Sequence, residues 1–86
     1  MIEEEYICLI FGLKLKQIRT EKNLSLFGLA KMTGLSKSYL NEIEKGKKYP
    51  KRDKIVLLSE ALETTYDQLV SLKLDKNLAP IGEILQ

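Results

Sequence analysis

Hydrophobic positions along the chain recur every three or four residues, and no strand-like alternation persists anywhere. Ile7, Phe11, Leu15 and Ile18, with Ile10 beside them, form one apolar face and predict a first helix over residues 4–22. Glu3, Glu4 and Glu5 near its start and Lys22 in its last turn suit the helix dipole, and Asn23 can cap it in a left-handed conformation. Ser25 then offers an N-cap oxygen to a short helix over 26–33, with Leu29 and Ala30 facing inward and Gly34 closing it. Ser36 caps a third helix over 37–45, whose buried side is Leu40 and Ile43 and whose end is marked by Gly46. A basic turn, Lys47-Lys48-Tyr49, leads through Pro50 to a fourth helix over 52–62 carrying Ile55, Leu58, Ala61 and Leu62. Thr65 opens a fifth helix, with Gln68 placed to reach back to the cap and Leu69 and Leu72 packing from it. Beyond residue 73 the pattern fades. Asp75, Lys76, Asn77, Pro80 and Gly82 punctuate a tail in which Leu78, Ile81, Ile84 and Leu85 look stranded. The expected organisation is a domain over 1–73 and a tail over 74–86 that docks, forms a dimer arm or begins a further region.

Eighty-six residues support one core and leave no room for a deep enclosed active site. With 44% hydrophobic and 30% charged residues the chain reads as an ordinary globular domain rather than a disordered tail. Histidine is absent and Cys8 is the single cysteine. An intrachain disulfide, a Cys/His metal cage and His-dependent nucleophilic catalysis are thereby excluded, so neither an enzyme nor a cofactor is expected. A lone thiol fits a reducing, cytoplasmic setting, and here it reads as an inert buried group. No apolar run approaches the roughly 18 residues of a membrane span, and three glutamates before residues 6–11 carry the wrong charge for a signal peptide.

The net charge of +2 conceals a strong asymmetry. From Lys31 to Lys54 eight basic residues stand against three acidic ones, while the rest of the chain holds six basic and nine acidic residues. A positive centre between acidic ends suggests a surface that meets a polyanion; a solvated lysine-rich face is the plain alternative. Two short helices meet across Thr33-Gly34-Leu35-Ser36, a joint that needs a glycine at the bend and an apolar plug, Leu35. The second of them opens with Lys37 and Ser38 and is apolar behind, as a helix must be if its leading end enters a DNA major groove.

Arg19, Ser25, Leu29-Ala30, Gly34-Leu35-Ser36-Lys37-Ser38-Tyr39-Leu40, Ile43-Glu44-Lys45-Gly46, Pro50 and Ala61-Leu62 stand in a register that resembles the lambda-repressor-like helix-turn-helix family, the XRE or Cro/C1 type. The resemblance runs from about Gly12 to Val70 and is closest to the SinR-like branch. It implies an all-α, five-helix DNA-binding domain with the helix-turn-helix formed by helices 2 and 3. It also implies base-edge contacts from Lys37, Ser38, Asn41 and Glu42. Phosphate contacts would come from Ser25 and the amides behind Leu26, from Tyr39, and from Lys45, Lys47 and Lys48. Arg19 and Glu44 correspond to a buried ion pair between the first and third helices.

Three positions depart from the family's pattern. Leu26 replaces a glutamine that braces the base-contacting residues, Gly28 sits inside the second helix, and Glu42 puts a carboxylate where phosphates are near. Tyr39 either stacks on the sugar-phosphate backbone or packs over Lys31 at the rim. Phe27 points outward and meets either a partner or a neighbouring helix. Tyr6, Leu9, Leu13, Val56 and Leu57 add more apolar surface than a monomer of this size buries, which points to a homodimer. The expected function is sequence-specific double-stranded DNA binding by a homodimeric transcription regulator, a repressor, with a protein antagonist as a further partner. The alternatives are a protein–protein adaptor or antitoxin on the same fold, and a fragment of a larger sensor.

Overall fold

The computed structural model describes residues 2–71, with side chains from Glu5 onward. Leu72, and the tail expected over 74–86, lie outside the described residues. Five helices follow one another: α1 (Ile2–Glu21), α2 (Leu26–Thr33), α3 (Lys37–Glu44), α4 (Arg52–Ala61) and α5 (Tyr66–Val70). No strand occurs among the described residues. The all-α, five-helix expectation therefore holds, with boundaries displaced by only one or two residues.

The helix ends form for local reasons. After α1, Asn23 takes the left-handed conformation (φ 58°) and the Leu24 N–H returns to the Arg19 carbonyl at 3.1 Å. The same closure ends α4, where the Thr64 N–H donates to the Ser59 carbonyl at 2.9 Å and Glu63 takes the left-handed position (φ 55°). Thr65 caps α5 by accepting from the Gln68 N–H at 3.0 Å. The reciprocal half of the expected capping box is not made. The Gln68 side chain instead accepts from the Thr64 hydroxyl at 2.7 Å.

Phe11 and Leu15 of α1, Leu29 of α2, Leu40 and Ile43 of α3, Ile55, Leu58 and Leu62 around α4, and Leu69 of α5 make one buried cluster. Each fully buried Leu, Ile or Phe contributes about 1.5–3 kcal/mol relative to exposure, so this cluster dominates the stability of the domain. Within it α1 packs on α3 and α5, α2 on α3 and α4, and α4 on α5.

Gly12 sets the closest approach. A Cβ there would collide with the Ile43 carbonyl oxygen and stand 2.8 Å from that of Glu44, so the α1 backbone lies directly against the C-terminal end of α3. Two polar groups are also taken into this packing. Lys14 is buried with its Nζ 3.4 Å from the Gln68 carbonyl oxygen of α5, and the Ser59 hydroxyl donates to the Val56 carbonyl at 2.8 Å.

Candidate nucleic-acid interface

The α2–α3 joint is built by short side chains bonding to backbone. The Ser25 hydroxyl accepts from the Gly28 N–H at 2.9 Å and starts α2. The amides of Leu26 and Phe27, in the first turn, have no acceptor within the helix. At the other end Gly34 is left-handed (φ 79°) and donates its N–H to the Ala30 carbonyl at 2.8 Å. The Thr33 hydroxyl donates to the Leu29 carbonyl at 2.9 Å and accepts from the Leu35 N–H at 3.2 Å, which turns Leu35 toward the core. One residue later the Ser36 hydroxyl accepts from the Tyr39 N–H at 3.0 Å and starts α3.

This construction decides which face of α3 is exposed. Leu40 and Ile43 are fully buried, so Lys37 and Ser38 stand in solvent at the leading end. Asn41 and Glu42 follow them one turn on, at i+4, and are half-buried; Lys45 closes the face, exposed at the C-cap. All four residues expected at base edges thus share one outward stripe with Lys45. Gly46 is left-handed (φ 79°), and the Lys47 N–H closes on the Glu42 carbonyl at 2.9 Å, folding the basic turn back along α3.

Two side chains expected to act separately are joined by that fold-back. Lys48 Nζ lies 3.2 Å from Glu42 Oε1 and 5.6 Å from the Tyr39 ring centroid. Tyr39 is half-buried and packs against the core. The cation over its ring is Lys48, whereas Lys31 stands over Phe27 at 5.6 Å. Phe27 is 61% exposed, so it points outward as expected. An open groove between α3 and the start of α4 is lined by Ser38, Tyr39, Glu42, Lys48, Lys51 and Lys54. Lys51 and Lys54 belong to the basic stretch expected to meet a polyanion, but their place beside α3 was not legible. Their distance in sequence from the α3 motif hides a proximity created by the Gly46 turn and Pro50.

Arg19 and Glu44 brace the site from behind. The guanidinium bonds both carboxylate oxygens and, through Nη1, the Leu24 carbonyl oxygen at 2.6 Å. It thereby fixes the α1–α2 turn, and with it Ser25, against the end of α3. Among the described residues no group of three His, Cys, Asp or Glu gathers to hold a metal, and no helix is long and apolar enough to cross a membrane.

Two capped helices joined through a left-handed glycine, the second exposed at its leading end and apolar behind, define a helix-turn-helix. A helix-turn-helix family model matches residues 15–69, and the chain belongs to that family. It is 36% identical over 61 residues to the HTH-type transcriptional activator BcrR of Enterococcus faecalis, a match covering 71% of this chain and 30% of BcrR. The chain therefore spans less than a third of that relative's length. Among solved structures, the restriction-modification controller protein C.AhdI of Aeromonas hydrophila superposes with a TM-score of 0.70 at 34% identity, covering 72% of this chain and 94% of that one. The SinR protein/SinI protein complex contains a chain that superposes with a TM-score of 0.71 at 30% identity, covering 87% of this chain and 77% of the other. The relatives are transcription regulators, not enzymes.

Proposed function

We propose that this chain binds a specific double-stranded DNA site as a homodimer and acts in the cytoplasm as a transcription repressor. The observation that carries the reading is the exposed leading end of α3, where Lys37 and Ser38 project from a helix whose other side is locked into the core by Leu40 and Ile43. A short helix held in this way can enter a groove with its back still packed on the core. Lys37, Ser38, Asn41 and Glu42 read base edges in this proposal. Ser25, the first-turn amides from Leu26, Tyr39, Lys45, Lys47 and Lys48 meet phosphates on either side. A body that occupies duplex DNA excludes other proteins from it, which is repression in its simplest form. Homodimerisation is supported by the apolar side chains left exposed at Tyr6 and Leu9 of α1 and at Val56 and Leu57 of α4. Two copies would set their α3 helices in successive major grooves, about 34–36 Å apart.

Selection of bound duplexes from a random pool tests the reading directly. The expected result is a two-fold symmetric site, with affinity that falls steeply as salt rises. Recovery of no sequence, with only shallow salt dependence, would favour the second reading, a protein-binding adaptor or antitoxin. That reading draws on the same exposed apolar side chains and on the solution of SinR in complex with another protein. A protein antagonist of the DNA-bound form would use those side chains too.

A further inference from the structure

The Glu42–Lys48 pair points to a role that neither side chain has alone. We propose that it is a specificity gate, in which Glu42 withholds the Lys48 charge from phosphate unless the DNA offers Glu42 a replacement donor, the N4 amino group of a cytosine. The inference rests on the DNA-binding reading above and goes further by assigning how this surface tells one duplex from another.

The geometry is set by backbone rather than by two wandering side chains. Gly46 in the left-handed conformation and the Lys47 N–H bond to the Glu42 carbonyl at 2.9 Å fix where Lys48 emerges relative to Glu42. Lys48 Nζ then reaches Glu42 Oε1 at 3.2 Å, and the Tyr39 ring beneath it, 5.6 Å away, supplies a second attraction in the same position. Both side chains remain about half exposed, so the pair is weak enough to open. A buried pair could not serve as a gate.

DNA presents two alternatives to this arrangement. When α3 enters the groove, phosphates compete for Lys48 and repel Glu42. If the pair stays closed, one phosphate goes without its lysine. If it opens, a bare carboxylate is left facing a polyanion. A cytosine facing Glu42 removes the conflict best, because its N4 amino group donates to the carboxylate while the phosphate takes Lys48. The donor N6 of adenine, by contrast, stands beside the acceptor N7, which repels a carboxylate. A wrong base at that position therefore loses a base contact and a phosphate contact together. Lys51 and Lys54, which also line the groove, keep the surface attractive to DNA while the gate is shut.

The test compares wild type, Glu42→Gln, Lys48→Ala and the double variant on a duplex selected from a random pool and on a shuffled duplex of equal composition. Glu42→Gln keeps the shape and removes the charge, and both positions lie outside the core, so folding is preserved. Expected is a roughly two- to fivefold gain per protomer on shuffled DNA, the size of one surface ion pair released. The salt slope should steepen by about 0.9 per protomer for the added phosphate contact. On the selected duplex the gain should be smaller, and the preference for one C·G pair in each half-site should relax. In the Lys48→Ala background the Glu42→Gln gain on shuffled DNA should shrink to the relief of carboxylate–phosphate repulsion alone. The salt slope should no longer steepen, because no lysine is released to a phosphate. An unchanged or weakened affinity of Glu42→Gln for shuffled DNA would overturn the gate, as would a gain and a slope change that are undiminished without Lys48. Failure of wild type to bind either duplex at low salt would instead overturn the DNA-binding reading itself.

Discussion

The Arg19 guanidinium grips the Glu44 carboxylate with two bonds, Nε to Oε2 at 2.6 Å and Nη2 to Oε1 at 3.0 Å, joining the end of α1 to the end of α3. Both side chains are about nine-tenths buried. Removing one partner leaves an uncompensated charge in the interior, so Arg19→Met or Glu44→Met should each cost about 3–5 kcal/mol. The double Met variant should recover most of that loss. A residue of about 1 kcal/mol should remain, because the Leu24 carbonyl also loses its guanidinium donor. Urea unfolding of the four proteins checks this; equal losses in the single and double variants would show that packing, not charge, is what the pair provides.

Gly12 is a second point where α1 and α3 depend on each other. Alanine in a helix is favoured over glycine by about 1 kcal/mol, so Gly12→Ala would stabilise an isolated α1. Here its methyl would meet two carbonyl oxygens of the α3 end, which are backbone atoms and cannot swing aside. Overpacking of this kind costs about 1–3 kcal/mol or more and outweighs the propensity gain. The expected outcome is a lowered thermal midpoint, together with weaker binding to DNA as α3 shifts.

These two positions mark the boundary of what the chain's pattern reveals. Helix 3 was legible because its cap, Ser36, and its buried pair, Leu40 and Ile43, are local and periodic. The left-handed turn at Gly34 was legible for the same reason, and so was that at Asn23. Glu63 was not, since glutamate carries no preference for the left-handed position it occupies. The close approach at Gly12 depends on a helix thirty residues away, and a glycine inside a helical pattern signals nothing about which neighbour comes near. Lys14 was hidden by its charge, because lysine is rarely buried. The Glu42–Lys48 pair escaped because it spans six residues across a glycine turn, a spacing no helical rule connects.

Tyr49 should make stability depend on alkaline pH. Its ring meets Phe11 edge-on with centroids 5.1 Å apart. Although Tyr49 stays 41% exposed, partial desolvation raises its pKa above the usual 10.0, with further increases from Tyr66 and Cys8. The folded state therefore holds the phenolic proton more tightly than the unfolded chain does. That contribution is complete below pH 10.0 and is lost as pH rises from there through the raised folded value. Tyr49→Phe keeps the ring contact and has no proton to lose. In urea titrations from about pH 8 upward, wild type should lose stability relative to Tyr49→Phe only above the usual tyrosine range. Parallel curves throughout would refute the assignment.

Lys37 offers the most direct test of how α3 meets DNA. Its side chain is exposed at the first position of the helix, while the capping oxygen belongs to Ser36, so Lys37→Ala should leave folding almost unchanged. A lysine there donates to guanine O6 or N7 in the major groove. The loss should be roughly 1–3 kcal/mol on the selected site and much smaller on shuffled DNA at the same salt concentration. Sequence preference should relax at one guanine in each half-site. A phosphate contact behaves differently: its removal weakens every duplex by a similar factor and flattens the salt slope. Paired binding curves on the two duplexes separate these cases. Equal losses would move Lys37 to the phosphate backbone, and no loss on either would remove α3's leading end from the groove.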